Sequence, residues 1–593
     1  MSCLHAIKPT LHFKNRGWFA MELIIAASAL GAVLAWPRLH ARLVLSRAKH
    51  PSLTGHARWS QRVARQIPAY ELSGPRFFDA DGAPADIAHQ RREGFERLAT
   101  LYKTRFAISA DVTEAAAGVI SDLQFTSRYR VPFPFSRMVR DALGGGSFAA
   151  AAAGTTITDL DGNRFHDLTG SYGVNLFGID AYKSCVDRGI ERTRELGPVL
   201  GTLHPLVLKN ARRIATLSRM DEVSFHMSGT EAVMQAVRLA RYHTGRRKLV
   251  RFCGAYHGWW GDVQPGVGNP LPADDTYTLR DMHPQTLKVL ATRRDIACVL
   301  VNPLQALHPN AGAPGDSALV DGTRSADFDR RAYGEWLREL RKVCTERNIA
   351  LIFDEVFVGF RLARGGAQEY FGVAADLVTY GKTLGGGLPV GVVAGRARWM
   401  RRFRDDAPAD ICFARGTFNS HPYVMGAMDA FLDLLDTPPI RDHYGSLERI
   451  WRVRASHLNA HLQAAGLPVH VARLGSIWTV LYTEPGRYHW MLQFYLRAHG
   501  LALAWTGTGR LVFSHNFSDA DFDDVCRRFI AAAQQMRADG WWWRDTGLTP
   551  RAIRRRIMVE MLNHRFPRMV GALRWLVAPP TASPHPDRST APS

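Results

Sequence analysis

Between residues 155 and 395, short apolar and β-branched runs such as ACVLV (297–301) and IALIF (349–353) alternate with helix-patterned stretches such as EAVMQAVRLARYH (231–243). Strands separated by helices pair in parallel through crossovers, so the alternation predicts a doubly wound α/β domain with a mostly parallel sheet. In such sheets ligands gather at the carboxyl ends of the strands. At 593 residues the chain is too long for one compact core. The expected order is a helical, Arg-rich region over 50–149, a large α/β domain over 150–424, and a smaller α+β domain over 425–543. The short strands IWTVLY and RLVFSHN belong to the last of these.

The balance of 75 Lys+Arg against 54 Asp+Glu gives a net charge of +21, which points to an anionic partner or surface. Without a zinc finger, an RRM signature or a basic strip interleaved with aromatics, nucleic acid is not the expected one. The seven Cys are odd in number and lack a CxxC pair, which argues against a zinc or other metal site and against a disulfide framework. Only ten of the basic residues are Lys. An Arg keeps its proton near neutral pH whereas a desolvated Lys can lose it, so each Lys is a candidate amine nucleophile. Lys382, in an apolar and glycine-rich setting, stands out.

The ends of the chain suggest a membrane. WFAMELIIAASALGAVLAW (18–36) is just long enough to span a bilayer, has Trp18 and Trp36 at its edges, and is followed by Arg38, Arg42, Arg47 and Lys49. This predicts a single-pass anchor in the cell inner membrane, within residues 1–49, with the catalytic domain on the cytoplasmic side; Met21 is an alternative start. Near the other end, within 544–593, RAIRRRIMVEMLNHRFPRMVGALRWL reads either as a basic amphipathic helix on anionic headgroups or as a helix packed on its own domain, followed after Pro579 by a disordered tail with too few apolar residues to fold.

Four constellations carry chemistry. In SFHMSGTEA a strand ends at His226, and Ser228, Gly229 and Thr230 open a helix whose free N–H groups suit a phosphate, although Ser-Gly-Thr is also an ordinary cap. In LIFDEVFVGF a hydrophobic strand delivers Asp354 and Glu355, and a buried carboxylate there needs a cation such as a protonated ring nitrogen or a structural Arg. In DLVTYGKTLGGGLPVG, Lys382 follows a strand end at a glycine-rich turn, twenty-eight residues after Asp354, so both can reach one crevice. The sequence does not satisfy a nucleotide P-loop, because position 376 is Asp376 where that motif has Gly. In GAYHGWWGD, Tyr256 follows a strand and either covers a flat cofactor or fills the core. A lysine amine with an acidic partner for a ring nitrogen is what a pyridoxal phosphate site requires.

These motifs, with ARGTF (414–418), resemble in order and spacing the class III, glutamate-1-semialdehyde-aminomutase-like pyridoxal phosphate enzymes over about residues 150–540. The resemblance implies the fold type I transferase architecture and a homodimer. It assigns Lys382 to the covalent bond with pyridoxal 5'-phosphate, Asp354 to the pyridinium nitrogen, Val356 and Tyr256 to opposite ring faces, and Ser228, Gly229 and Thr230 to the phosphate. Thr417 reaches that phosphate from the neighbouring subunit. GSYGVNLFG (170–178), NPLQALHP (302–309), RGGAQEYFG (364–372) and GTFNSHP (416–422) look most like amination modules of lipopeptide-making synthases, which act on carrier-bound acyl chains. Two positions depart from the family pattern: Asn302 stands where Glu precedes Pro, and Met227 where Asn is common.

The expected activity is therefore transfer of an amino group onto a carbonyl substrate, lipidic or bound to an acyl carrier protein, held at the membrane by the anchor. Intramolecular 1,2-aminomutation is the alternative, and a membrane-anchored scaffold without activity the non-enzymatic one.

Overall fold

The computed structural model describes residues 30, 33, 35–146, 148–271, 274–307, 328–503, 509–545 and 547–567. Strands are numbered in chain order among these residues. A seven-stranded sheet forms the large core from β4 (Glu222–His226), β5 (Lys248–Phe252), β6 (Thr276–Leu279), β7 (Ile296–Val301), β8 (Ala350–Asp354), β9 (Leu377–Gly381) and β10 (Gly391–Gly395), ordered β4-β10-β9-β8-β7-β5-β6. All neighbours pair in parallel except β10, which runs antiparallel to both β4 and β9. Every residue of β7, β8, β9 and β10 is buried. Helices cover both faces of a parallel sheet, which is why these strands read as continuous apolar runs.

A four-stranded sheet joins β1 (Ala149–Ala153), β2 (Thr156–Asp159) and β3 (Arg164–Asp167) to β13 (Leu501–Ala502), which adds parallel to β3. A three-stranded antiparallel sheet consists of β11 (Val469–Leu474), β12 (Ile477–Tyr482) and β14 (Arg510–Val512). The helices of the Arg-rich region share one core with this part. Phe77, Phe95, Leu98 and Tyr102 pack in the same buried cluster as Trp451, Trp478, Trp490 and Trp541. Arg91 and Asp81 are buried in that core as an ion pair at 2.7 Å, with the guanidinium 4.5 Å from the centre of the Tyr488 ring. Such a pair persists in an apolar interior because the guanidinium also donates to Phe78 O at 2.7 Å and to Gly540 O at 2.9 Å.

Both chain ends differ from the membrane reading. Among the described residues no helix is long and apolar enough to cross a membrane. Most of the expected span, 18–29, 31–32 and 34, lies outside the described residues. The stretch that should lead away from a bilayer is instead helical over 35–48 and docks on the α/β core, with Val44 and Ala48 buried and Ala48 O accepting from Arg280 N at 2.9 Å. The expected inner-membrane, single-pass localisation is overturned on that ground. Near the C-terminus, the helix Pro550–Arg565 is packed on its own protein: Ile553 is fully buried, and Glu560 accepts from Arg487 at 2.6 Å and from Tyr70 at 3.1 Å. Residues 568–593 lie outside the described residues.

Candidate active site

The fully buried strand β8 ends by presenting Asp354, 3% exposed, between two neighbouring segments. One carboxylate oxygen accepts from the Val356 amide and from the Thr379 hydroxyl of β9, each at 3.2 Å. The other lies 2.7 Å from Nδ1 of His257. His257 is buried, and burial pushes its pKa below the usual 6.5 despite the carboxylate. The ring is therefore neutral at pH 7, with Nδ1–H donating to Asp354 and Nε2 left without a hydrogen-bond partner. The local sequence pattern assigns no role to His257; its place beside Tyr256 just after a strand is the one signal it carries.

Lys382 follows β9 at the next strand end. Its φ of 46° lies in the left-handed region, where a side chain other than glycine's is strained, a condition that clusters at functional sites. The ammonium end sits 4.4 Å from the centre of the Phe357 ring. Above it, Gly173 (φ 96°) has no room for a side chain, since a Cβ would stand 3.0 Å from Phe357 and 3.5 Å from Lys382 Cδ. Burial lowers the Lys382 pKa to about 8; Asp354 opposes that shift, and Arg361 and Arg510 add to it. Arg361 is itself buried and donates to neutral acceptors: Ser476 Oγ at 2.9 Å, Phe513 O at 2.7 Å and Asn175 O at 2.9 Å. Its charge is therefore felt by Lys382 rather than cancelled by a carboxylate among the described hydrogen bonds.

Opposite these groups, Ser228 caps the helix Gly229–Thr244. Its hydroxyl accepts from Glu231 N at 3.2 Å and its carbonyl from Ala232 N at 3.0 Å. The Gly229 and Thr230 amides have no partner among the described hydrogen bonds and point the positive end of a sixteen-residue helix into the site. Two close approaches shape this cradle. A Cβ on Gly229 would come within 2.5 Å of Val356, and one on Gly258 (φ 94°) within 2.6 Å of the Thr230 hydroxyl. Val356 and the Tyr256–Gly258 turn are thus pressed against the helix start.

Tyr256 is 59% exposed, and partial burial and then Asp354 raise its pKa, which puts the phenol within the field of that carboxylate. Asn302 is buried and uses both ends of its amide: Nδ2 donates to Tyr256 O at 3.0 Å, and Oδ1 accepts from Leu304 N at 3.1 Å. A carboxylate in its place would offer the Tyr256 carbonyl no donor. Met227, the other departure, gives its amide to Glu231 at 2.9 Å. The structure thus gathers Asp354, Val356, Lys382, Ser228, Gly229, Thr230 and Tyr256 around the ends of β4, β5, β8 and β9. Thr417 is not brought among them within one chain; it is exposed, in a turn beside the exposed rings of Phe413 and Phe418.

Two free helix amides, an acid held at a strand end and a lysine poised near neutrality fit a phosphorylated pyridine aldehyde. The comparisons with known proteins agree. The chain matches the family Aminotransferase class-III over residues 144–269 and 319–533, more than half of its length, and belongs to that family. It is 35% identical over 381 residues to a glutamate-1-semialdehyde 2,1-aminomutase of Nitratidesulfovibrio vulgaris, covering 61% of this chain and 84% of that protein. It is 32% identical over 408 residues to the corresponding enzyme of Methanosarcina acetivorans, covering 66% and 86%. Among solved structures, a β-phenylalanine aminotransferase from Variovorax paradoxus is 27% identical with a TM-score of 0.59, covering 75% of this chain and 96% of that one. A transaminase with PLP bound is 25% identical with a TM-score of 0.60, covering 73% and 99%. Pyridoxal 5'-phosphate is the cofactor of this enzyme family and of this chain.

Proposed function

We propose that this class III enzyme transfers an amino group from a donor amine to a separate carbonyl acceptor, with Lys382 and Asp354 as catalytic residues. The observation that carries the reading is the Lys382 amine, held at about 8 by burial while Asp354 stands at the adjoining strand end. Ser228, Gly229 and Thr230 would hold the cofactor phosphate, Val356 and Tyr256 the two faces of its ring, and Asp354 its protonated nitrogen. When bound, the cofactor supplies an aldehyde that takes up the amino group and a ring that withdraws electrons from the neighbouring C–H bond. Lys382 would bond that aldehyde between turnovers. Once displaced, its amine is about half neutral near pH 8 and can take the proton from the substrate carbon and return it. His257 and Thr379 orient Asp354, and the Phe357 ring covers the lysine amine.

A homodimer belongs to the same proposal. Thr417 of a second copy would complete the phosphate cradle, and the exposed rings of Phe403, Phe413 and Phe418 support a face that a second copy covers. Aminomutation is the second reading, favoured by the curated relatives, which are named aminomutases at 35% and 32% identity. The lipidic or carrier-bound acceptor now rests on the motif likeness to synthase amination modules alone, since the anchor no longer supports it.

Stoichiometry separates the readings. A transferase given donor and no acceptor consumes about one equivalent per site and stops, then resumes when a short keto acid, a long-chain aldehyde or an acyl-carrier β-ketone is added. Continuous turnover of a single amino-carbonyl substrate would overturn transfer in favour of aminomutation.

A further inference from the structure

Residues 42–62 precede the first residue matched to the family, position 144, and fold over the outer edge of the large sheet. There they line an open cavity of about 720 Å³ with strands β5 and β6 as its floor. Its lining includes Arg42, Lys49, Arg58, Arg62 and Lys248, together with His56. The acids within reach are already engaged: Asp274 pairs with Arg58, and Asp275 pairs with Arg247 and lies 3.7 Å from the Lys248 amine. Arg42, Lys49 and Arg62 have no carboxylate partner among the described ion pairs.

Lys49 is the informative member. Its backbone bridges to Leu279 at the end of β6, which fixes the side chain in the cavity wall, half-buried among like charges. Burial and the Arg58 charge both push its pKa down. Arg42, Arg58 and Arg62 are exposed around the half-buried Lys49, and like charges gathered on one cavity repel one another, a repulsion that an anion would relieve. Trp59, 60% exposed, stands in the same lining with Arg62 at 5.4 Å from its ring centre. The cavity is separate from the catalytic residues. Lys248 opens β5 at its amino end, whereas Asp354 and Lys382 lie at the carboxyl ends of β8 and β9, and β7 separates β5 from β8.

We propose that this cavity binds a phosphate-bearing anion of at least two negative charges, held by the forks of Arg42 and Arg62 and the point charge of Lys49. Arginine forks match phosphate oxygens bidentately, and a lysine adds charge without directional demand. Inorganic pyrophosphate and a nucleoside diphosphate share this chemistry, and Trp59 is the residue that tells them apart by offering a flat face for a base.

The test uses holoenzyme saturated with pyridoxal phosphate, so that the Ser228–Thr230 cradle is already filled. Titration calorimetry with pyrophosphate at low ionic strength should show one further saturable site per chain, weakened about tenfold or more by Lys49→Gln and, independently, by the exposed Arg62→Gln, and weakened by added salt. ADP binding tighter than pyrophosphate, with the difference removed by Trp59→Leu, identifies a base-bearing phosphate; equal binding that ignores Trp59→Leu identifies phosphate alone. Either supports the site. Absence of saturable binding in folded wild-type holoenzyme, or an affinity that neither charge variant changes, overturns it.

Discussion

His257 holds Asp354 by a single 2.7 Å contact between two side chains that solvent does not reach. The two come from different crossover units, one from the loop after β5 and the other from the end of β8, so the contact fixes the relative height of two strand ends across β7. Replacing His257 by Ala leaves that carboxylate oxygen without its donor, at about 1–3 kcal/mol. The expected outcome is a loss of kcat of about five- to hundredfold with cofactor still bound. Steady-state kinetics beside the cofactor absorbance will check this, and His257→Gln, which keeps an N–H donor, should recover part of the loss.

Lys382 should react with aldehydes as a weak base. In cofactor-free protein the rate of pyridoxal phosphate uptake should rise with pH about a midpoint near 8 rather than the usual 10.5. Asp354→Asn removes the group that raises this pKa and should lower the midpoint. Arg361→Met removes one that lowers it and should raise the midpoint. Rapid-mixing absorbance against pH gives all three.

Borohydride reduction followed by peptide mapping should place the pyridoxyl group on Lys382 and on no other lysine. Lys382→Ala should abolish turnover while the phosphate cradle still retains some cofactor, and Asp354→Ala should slow proton removal from the substrate carbon, read as a primary isotope effect on kcat.

Gly229→Ala puts a methyl 2.5 Å from Val356, closer than any tolerated contact, and so must displace either the helix start or that valine. Cofactor affinity should fall about tenfold or more, measured by equilibrium dialysis, with a smaller change in thermal stability.

Acid should unfold the protein through buried histidines. Burial holds His226 and His489 at about 4, while an unfolded chain protonates them near 6.5. Between pH 6.5 and 4 the unfolded state binds protons that the fold does not, so stability falls as pH falls through that window, by on the order of 3 kcal/mol per histidine. Denaturant midpoints at pH 7, 5.5 and 4 will follow the decline, and His489→Phe should flatten part of it.

The strand ends were legible because they are where apolar runs meet polar residues. Asp354 follows four buried residues of β8, Lys382 follows β9, and Ser228 caps its helix as its sequence suggests. Partnerships across the chain were not legible. Nothing in GAYHGWWGD says which of its residues meets Asp354, and nothing around Arg361 says that Ser476, Phe513 and Asn175 will answer its guanidinium, because such contacts depend on topology rather than on local pattern. The apolar run at 18–36 misled because hydropathy measures only what a segment can bury. Immediately after it the chain spends Val44 and Ala48 on its own α/β core.

The shared aromatic core has a consequence for synthesis. Tyr70 meets Glu560 across 490 residues, and Phe77 packs against Trp541, so the helices that carry Phe77 and Phe95 cannot be covered until residues near 541–560 have been made. The seven-stranded sheet needs only residues 222–395 and can close while translation continues. The helices Pro75–Phe78 and Ala85–Arg105 must meanwhile wait with Phe77, Phe95 and Tyr102 uncovered. That interval leaves apolar rings exposed, and is a stage at which chaperone capture is expected.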